Sequence, residues 1–323
     1  MIEKTILHIG TENGLWSFSP IDNEWQQTAS GLPGKKIIAI NCHQDAPNIL
    51  IAAVQGYGVF KTEDNGEHWR QVHSANAHCL LQDQKQPQRL WLGVEPAGVH
   101  RSVDGGQTWT DLTETIRQVP SALDWFYSEP PFQARLSTLR QHPSQENTIL
   151  AGVDTGGIIR SDNAGDSWCT ADEGADEEVH TLAVHSKDGS MWLATTGAGI
   201  YRSQDTGQTW HPVTDTLLYA DPITILPSGV CLAGVASTPP GNWIENAPSD
   251  LMRSGDGGQH WEPVDFSLPG YISALAGDIV VKDNVYLGTD QGEVFLSQDQ
   301  GFTWDAIAQV SNSVCALSAI QAT

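Results

Sequence analysis

The stretch Ser102-Val103-Asp104-Gly105-Gly106-Gln107-Thr108-Trp109 decides the fold. Its pattern is a hydroxyl residue, Asp or Asn two places on, Gly two places further, then Trp. The same octapeptide runs from Thr62 to Trp69, Ser161 to Trp168, Ser203 to Trp210, Ser254 to Trp261 and Ser297 to Trp304. Asn163 replaces the acid in one copy, and a degenerate seventh, Ser19 to Trp25, opens the chain. Repetition at this period is the signature of a stacked or radial repeat architecture. Each octapeptide sits in a longer unit of four short β-rich stretches separated by turn residues, as in Ile37–Ile40, Ile49–Val54, Gly58–Thr62 and His68–Val72. Four such strands make one propeller blade.

The chain thus reads as an all-β, seven-bladed β-propeller forming one domain over residues 1–323, its blades centred on Trp25, Trp69, Trp109, Trp168, Trp210, Trp261 and Trp304. Strands are lettered A to D from the inside out, which puts each octapeptide at a C–D turn. There the Asp is expected to accept N–H groups that the turn leaves unpaired, and the Gly to supply a left-handed backbone position. The Trp is expected to plug the gap toward a neighbouring blade. Because the chain starts on a B-like stretch, Ile6–Gly10, and ends on an A-like one, Ser313–Ser318, the last strand is expected to close the first blade and leave no open inner edge.

Composition narrows the partners. Sixteen Lys and Arg stand against 39 Asp and Glu, a formal charge of -23. Such a surface repels phosphate backbones and anionic lipid, so neither nucleic acid nor a membrane is an expected partner. No apolar run is long enough to span a bilayer, and the first residues lack a secretory pattern, so a cytoplasmic location is expected. Five cysteines, Cys42, Cys79, Cys169, Cys231 and Cys315, include no C-x-x-C pair and read as small buried hydrophobes.

These octapeptides resemble the Asp-box, or BNR, repeats of sialidases, sortilin-type receptors, xyloglucan-cleaving glycosidases and a photosystem II assembly factor. The resemblance spans nearly the whole chain. The unit Ala151 to Trp168 is most similar to bacterial BNR-like proteins labelled glycosyl hydrolases. It implies the propeller fold and leaves the chemistry open, since such families hold enzymes and non-enzymes alike. A sialidase is excluded: there is no R-I-P element, and Arg101, Arg160, Arg202 and Arg253 immediately precede octapeptides as blade-edge residues.

Antiparallel blades put the A–B and C–D turns at one end and the B–C and D-to-A connections at the other. Both long insertions, Thr113 to Gln133 and Ala236 to Asp250, fall opposite the octapeptides, where binding loops are expected. They carry Trp125, Tyr127, Glu129 and Trp243. The aromatics suit stacking on a sugar or other planar ligand, or packing on one another as a lid. The B–C turns add Glu12, Gln55, Glu95, Asp154, Thr196 and Asp290, expected as a ring of negative charge in which neighbouring acids raise one another's pKa. The starts of the inner strands add His78, Arg135, Glu178, His180 and Asp221.

Two functions fit. The first is a hydrolase acting on a small polar or carbohydrate-like substrate, with Glu95, Asp154, Glu129, Arg135 and His180 in catalysis and Trp125, Tyr127, Trp243, Glu12, His78 and Asp290 in binding. The second is a non-catalytic assembly scaffold whose acidic rim prefers a basic protein partner. A metal- or His-assisted lyase is a third. No cofactor is called for, although His78 and His180 with Glu95 or Asp154 offer ligands for a divalent metal.

Overall fold

The computed structural model describes residues 5–43, 45–126, 133–187, 189–214, 218–237, 249–268, 270–278 and 281–321. They form seven four-stranded antiparallel sheets, each in the order A-B-C-D. Every inner strand lies against that of the next blade, and the seventh against the first, so the sheets close a ring. The final strand, Val314–Gln321, pairs with Thr5–Thr11 from Thr5↔Gln321 to Thr11↔Val314 and completes blade 1, as the sequence predicts.

Burial follows position in the blade. The B strands are wholly buried in Leu90–Val94, Ile149–Val153, Trp192–Thr196 and Val285–Thr289, with both faces covered by neighbouring blades. The outermost strands shrink to exposed pairs such as Thr110–Asp111 and Cys169–Thr170. Between successive blades lies one apolar cluster, seven in all. Each octapeptide Trp enters the cluster on the side of the preceding blade. Trp210, 1% exposed, packs on Leu150, Ile158 and Ala171 of blade 4, and its Nε1 donates to the Ala171 carbonyl at 2.8 Å.

The octapeptide turn is built by its own polar atoms. In blade 3 the Ser102 hydroxyl donates to Asp104 Oδ1 at 2.8 Å and accepts the Gly106 N–H at 2.9 Å. Asp104 Oδ1 also takes the N–H groups of Gln107 and Thr108, both at 2.9 Å. Two successive residues are left-handed where the sequence predicts one. The residue before the motif Gly also has positive φ, at Asn65 (59°), Ala164 (61°), Thr206 (63°) and Gln300 (62°). The carbonyl of that extra residue is the docking point for the arginine preceding the previous blade's octapeptide. Arg101 reaches Ala164 O at 3.0 Å, Arg160 reaches Thr206 O at 2.7 Å, Arg202 reaches Gly257 O at 2.8 Å and Arg253 reaches Gln300 O at 3.0 Å. These four cations therefore tie blade to blade at the octapeptide end.

The cysteine reading needs correction. Cys79 and Cys231 are buried, but Cys169 is exposed on an outer strand and Cys315 lines the central channel. Both insertions emerge opposite the octapeptides. The first holds a short helix, Thr113–Arg117, and a 3-10 turn, Pro120–Leu123. Tyr127, Glu129 and Trp243 lie outside the described residues. No helix among the described residues is long and apolar enough to cross a membrane.

Candidate functional site

Two regularities build the mouth of the channel. First, in six blades the leading residue of the B–C turn donates its N–H to the carbonyl of the residue just before strand A. The pairs are Glu12 to Ser313 (3.2 Å), Gln55 to Lys36 (3.0 Å), Glu95 to Asn76 (3.0 Å), Asp154 to Arg135 (3.0 Å), Gly197 to Glu178 (3.1 Å) and Asp290 to Tyr271 (3.0 Å). The side chains of these two sets are thereby brought to one rim. The blade 5 member is Gly197. Thr196 ends the preceding strand, is fully buried and bonds its hydroxyl to Gly199 O, so it does not belong to the rim.

Second, strand A carries a β-bulge near its start in every blade. The register shifts fall at Ile38, His78, Ser137, His180, Asp221–Pro222, Ser273 and Cys315. A bulge turns its extra residue out of the pleat. Here that places each one on the wall of a central channel of about 430 Å³. His78 and His180 owe their position to this device, as do Ser137 and Ser273, which the sequence reading did not single out.

The rim carries acid–base pairs, where the sequence reading expected a ring of negative charge in which acids face one another. His78 Nε2 lies 2.8 Å from Glu95 Oε2, which also accepts from Asn76 Nδ2 at 2.9 Å. Arg135 grips Asp154 Oδ2 through Nε at 2.8 Å and a terminal nitrogen at 2.7 Å. His180 stands 3.6 Å from Glu178 and bonds Ala220 O at 2.8 Å through Nδ1. Glu12 pairs with Lys36 at 3.4 Å across the blade 1–2 boundary, away from the other pairs. Asp290 spends Oδ1 on the Tyr271 N–H at 2.8 Å.

Electrostatics link blades 3 to 6. Burial, followed by the Arg135 charge, draws His78 below its ordinary value, so it is neutral near pH 7. Burial also opposes protonation of His180, but Glu178, Asp221 and the Ala220 carbonyl outweigh it and raise that histidine. The His180 hydrogen bond in turn lowers Glu178. Asp221 moves the other way: burial raises it, the nearby Asp154 charge adds to this, and its Oδ1 accepts from the Thr181 hydroxyl at 2.8 Å. Two tyrosines missed at the sequence level complete this corner. The Tyr219 ring lies 4.5 Å from the His180 ring, and the Tyr271 hydroxyl donates to Asp221 O at 2.9 Å. Both precede or start an inner strand, the same place that yields Arg135, which is the signal that would have found them.

Trp125 lies over the blade 3–4 seam against Gly156, close enough that a Cβ on that glycine would meet its ring at 3.0 Å. Thr155 Oγ1 fixes the loop by donating to Phe126 O at 2.7 Å. Phe126 itself remains 59% exposed. His78, His180, Glu95 and Asp154 do not converge as metal ligands. The one grouping with ligand-atom spacing among the described residues is Asp64, Glu67 and His68, on an octapeptide turn at the opposite end.

A family model described as photosynthesis system II assembly factor YCF48 matches residues 167–323. A probable oligoxyloglucan-reducing end-specific xyloglucanase from Neosartorya fischeri is 30% identical over 207 residues, covering 60% of this chain but only 23% of that protein. The photosystem II assembly lipoprotein Ycf48 of Synechococcus sp. (strain CC9902) is 22% identical over 256 residues, covering 76% of this chain and 68% of that one. A solved structure of YCF48 bound to a D1 peptide superimposes with a TM-score of 0.59 at 18% identity, over 86% of this chain and 84% of the other. Less than a quarter of the xyloglucanase is thus represented here. With seven closed blades and a match to that family model over residues 167–323, the chain has a seven-bladed β-propeller fold and is similar to BNR-repeat proteins.

Proposed function

We propose that the chain is a non-catalytic binding propeller whose mouth, over blades 3 to 6, receives a polar segment of a partner protein. The observation that carries this reading is the pairing of the rim acids. A glycosidase needs one carboxyl held protonated near neutral pH and a second free to attack or to activate water. Glu95, Asp154 and Glu178 each have an arginine or imidazole partner within 3.6 Å, so none of the three stands unengaged at the mouth. Alternating acids and bases on a rigid rim suit recognition of a chain that carries both signs, and the charge of -23 favours a basic partner. The relative matched over most of its own length is an assembly lipoprotein.

One observation favours a second reading, a hydrolase acting on a carbohydrate-like ligand. Asp221 is a buried, raised acid beside His180, with Trp125 on the same face. The test separates the two. A stoichiometric protein complex lost in Arg135→Ala, with melting unchanged to within a few degrees, supports binding. Turnover of xyloglucan oligosaccharides or aryl glycosides that Asp221→Asn abolishes overturns it.

A further inference from the structure

The channel holds one cation that the rim chemistry does not use. Arg140 is the penultimate residue of the inner strand Leu136–Gln141, on the octapeptide side of the bulge, and it lines the channel. Nη1 donates to the Leu139 carbonyl at 2.9 Å. Among the described residues no carboxylate lies within ion-pair distance of it. The other eight arginines each have a carboxylate or a neighbouring octapeptide carbonyl as partner. Burial opposes the Arg140 charge, and the titratable group acting on it is the Cys79 thiol, which burial pushes up to about 12 and so leaves neutral. A guanidinium carries five N–H donors in a planar fork that matches a carboxylate or phosphate. In this site one of the five is spent on backbone.

Arg140 is half-buried; a partly desolvated cation without a counter-ion is costly to keep, and an anion brought beside it recovers part of that cost. The surroundings fit such a guest. Asn41, Ser137, Thr138 and Thr181 line the same channel, and its volume of about 430 Å³ is in the range of small-molecule sites. From the bare guanidinium, the lack of a carboxylate within ion-pair distance of it and the polar channel wall, we infer that the channel binds a small carboxylate or phosphate anion, with Arg140 as its principal contact. This site shares the channel with His78, His180 and Asp221 but lies on the octapeptide side of their bulges, and it stands whether or not a protein docks at the mouth.

The test is titration of the purified full chain with acetate, malonate and inorganic phosphate at constant ionic strength, followed by melting temperature and calorimetry. At least one of these anions is expected to give a saturable rise, absent in Arg140→Leu and weakened at least tenfold in Arg140→Lys. Without anion, Arg140→Leu is expected to melt no lower than the parent, because it removes a half-buried charge that has no partner acid. No saturable effect of any of the three on the parent protein, or an effect that persists in Arg140→Leu, overturns the proposal. Should Arg140→Leu fail to fold, the parent titration and Arg140→Lys decide alone: an affinity unchanged by the lysine overturns it.

Discussion

Trp168 and Trp210 occupy the same place in consecutive octapeptides, yet replacing each by Phe is expected to have unequal consequences. Both rings are buried, at 8% and 1% exposure, so both substitutions lose a similar apolar contribution, roughly 1 to 2 kcal/mol from area. The difference lies in one nitrogen. Trp210 Nε1 donates to Ala171 O at 2.8 Å, whereas Trp168 Nε1 is buried without a hydrogen-bond partner among the described residues. Trp210→Phe strands a buried carbonyl, which costs about 1 to 3 kcal/mol more. Trp168→Phe removes an unmet donor and regains a similar amount. Trp210→Phe should therefore be the less stable variant by about 2 kcal/mol or more, or some 4 °C at roughly 2 °C per kcal/mol for a domain this large. Urea unfolding and thermal melting of the two variants side by side measure it. Equal losses, or a larger loss in Trp168→Phe, would refute the assignment of these indole groups.

The octapeptide acids set a pH limit. Hydrogen bonds from the Thr108 hydroxyl and N–H hold Asp104 at about 2, and Thr62 and His68 do the same for Asp64, both well under the ordinary value of 3.8. Lowered folded-state values contribute stability that is complete above the unfolded value and lost as pH falls through the folded one. Melting temperature should therefore fall between about pH 4 and pH 2, and Asp104→Asn should flatten that slope; a slope unchanged in this variant would exclude Asp104 as a source. Ala164→Gly should raise stability slightly, since a left-handed Ala at φ 61° costs about 1 to 2 kcal/mol and the added chain entropy of Gly takes back about 0.5 to 1. A clear loss in chemical denaturation would count against that strain. Ending the chain after Ser311 removes the inner strand of blade 1 and exposes the edge of Thr5–Thr11, so cooperative melting should be lost. An unaltered melting curve would show that ring closure is not needed.

The fold was legible because its signals are local and repeated. A Ser or Thr, an Asp or Asn, a Gly and a Trp within eight residues build one turn from their own hydrogen bonds, and six such copies with a degenerate seventh define the ring whatever lies between them. The arginine that precedes four of the six octapeptides could be recognised as structural for the same reason, being fixed at one spacing from the motif. What the pattern hid was the second left-handed position. Ala164, Thr206 and Gln300 are unusual residues for it, and only Asn65 and the Gly-Gly pairs at 105–106 and 257–258 hint at the demand.

The rim was legible by position and illegible by state. Counting from the repeat located Glu95, Asp154, His78, Arg135 and His180 at one end, but whether an acid there is a free catalyst or half of an ion pair depends on which side chain faces it across a turn. That is set by the backbone link between the B–C turn and the residue before strand A, together with the bulge that points the next-but-one residue at the channel. Once both are known, the sequence reads differently: residues two before each bulge, Lys36, Asn76, Arg135, Glu178 and Tyr271, decide the charge state of the rim, and a substitution in that row should alter binding at the mouth without touching the blades. Arg140 lies deeper than this row and was overlooked because no motif marks it; its significance comes only from the absence of an acid around it, a property that seven strands must converge to create.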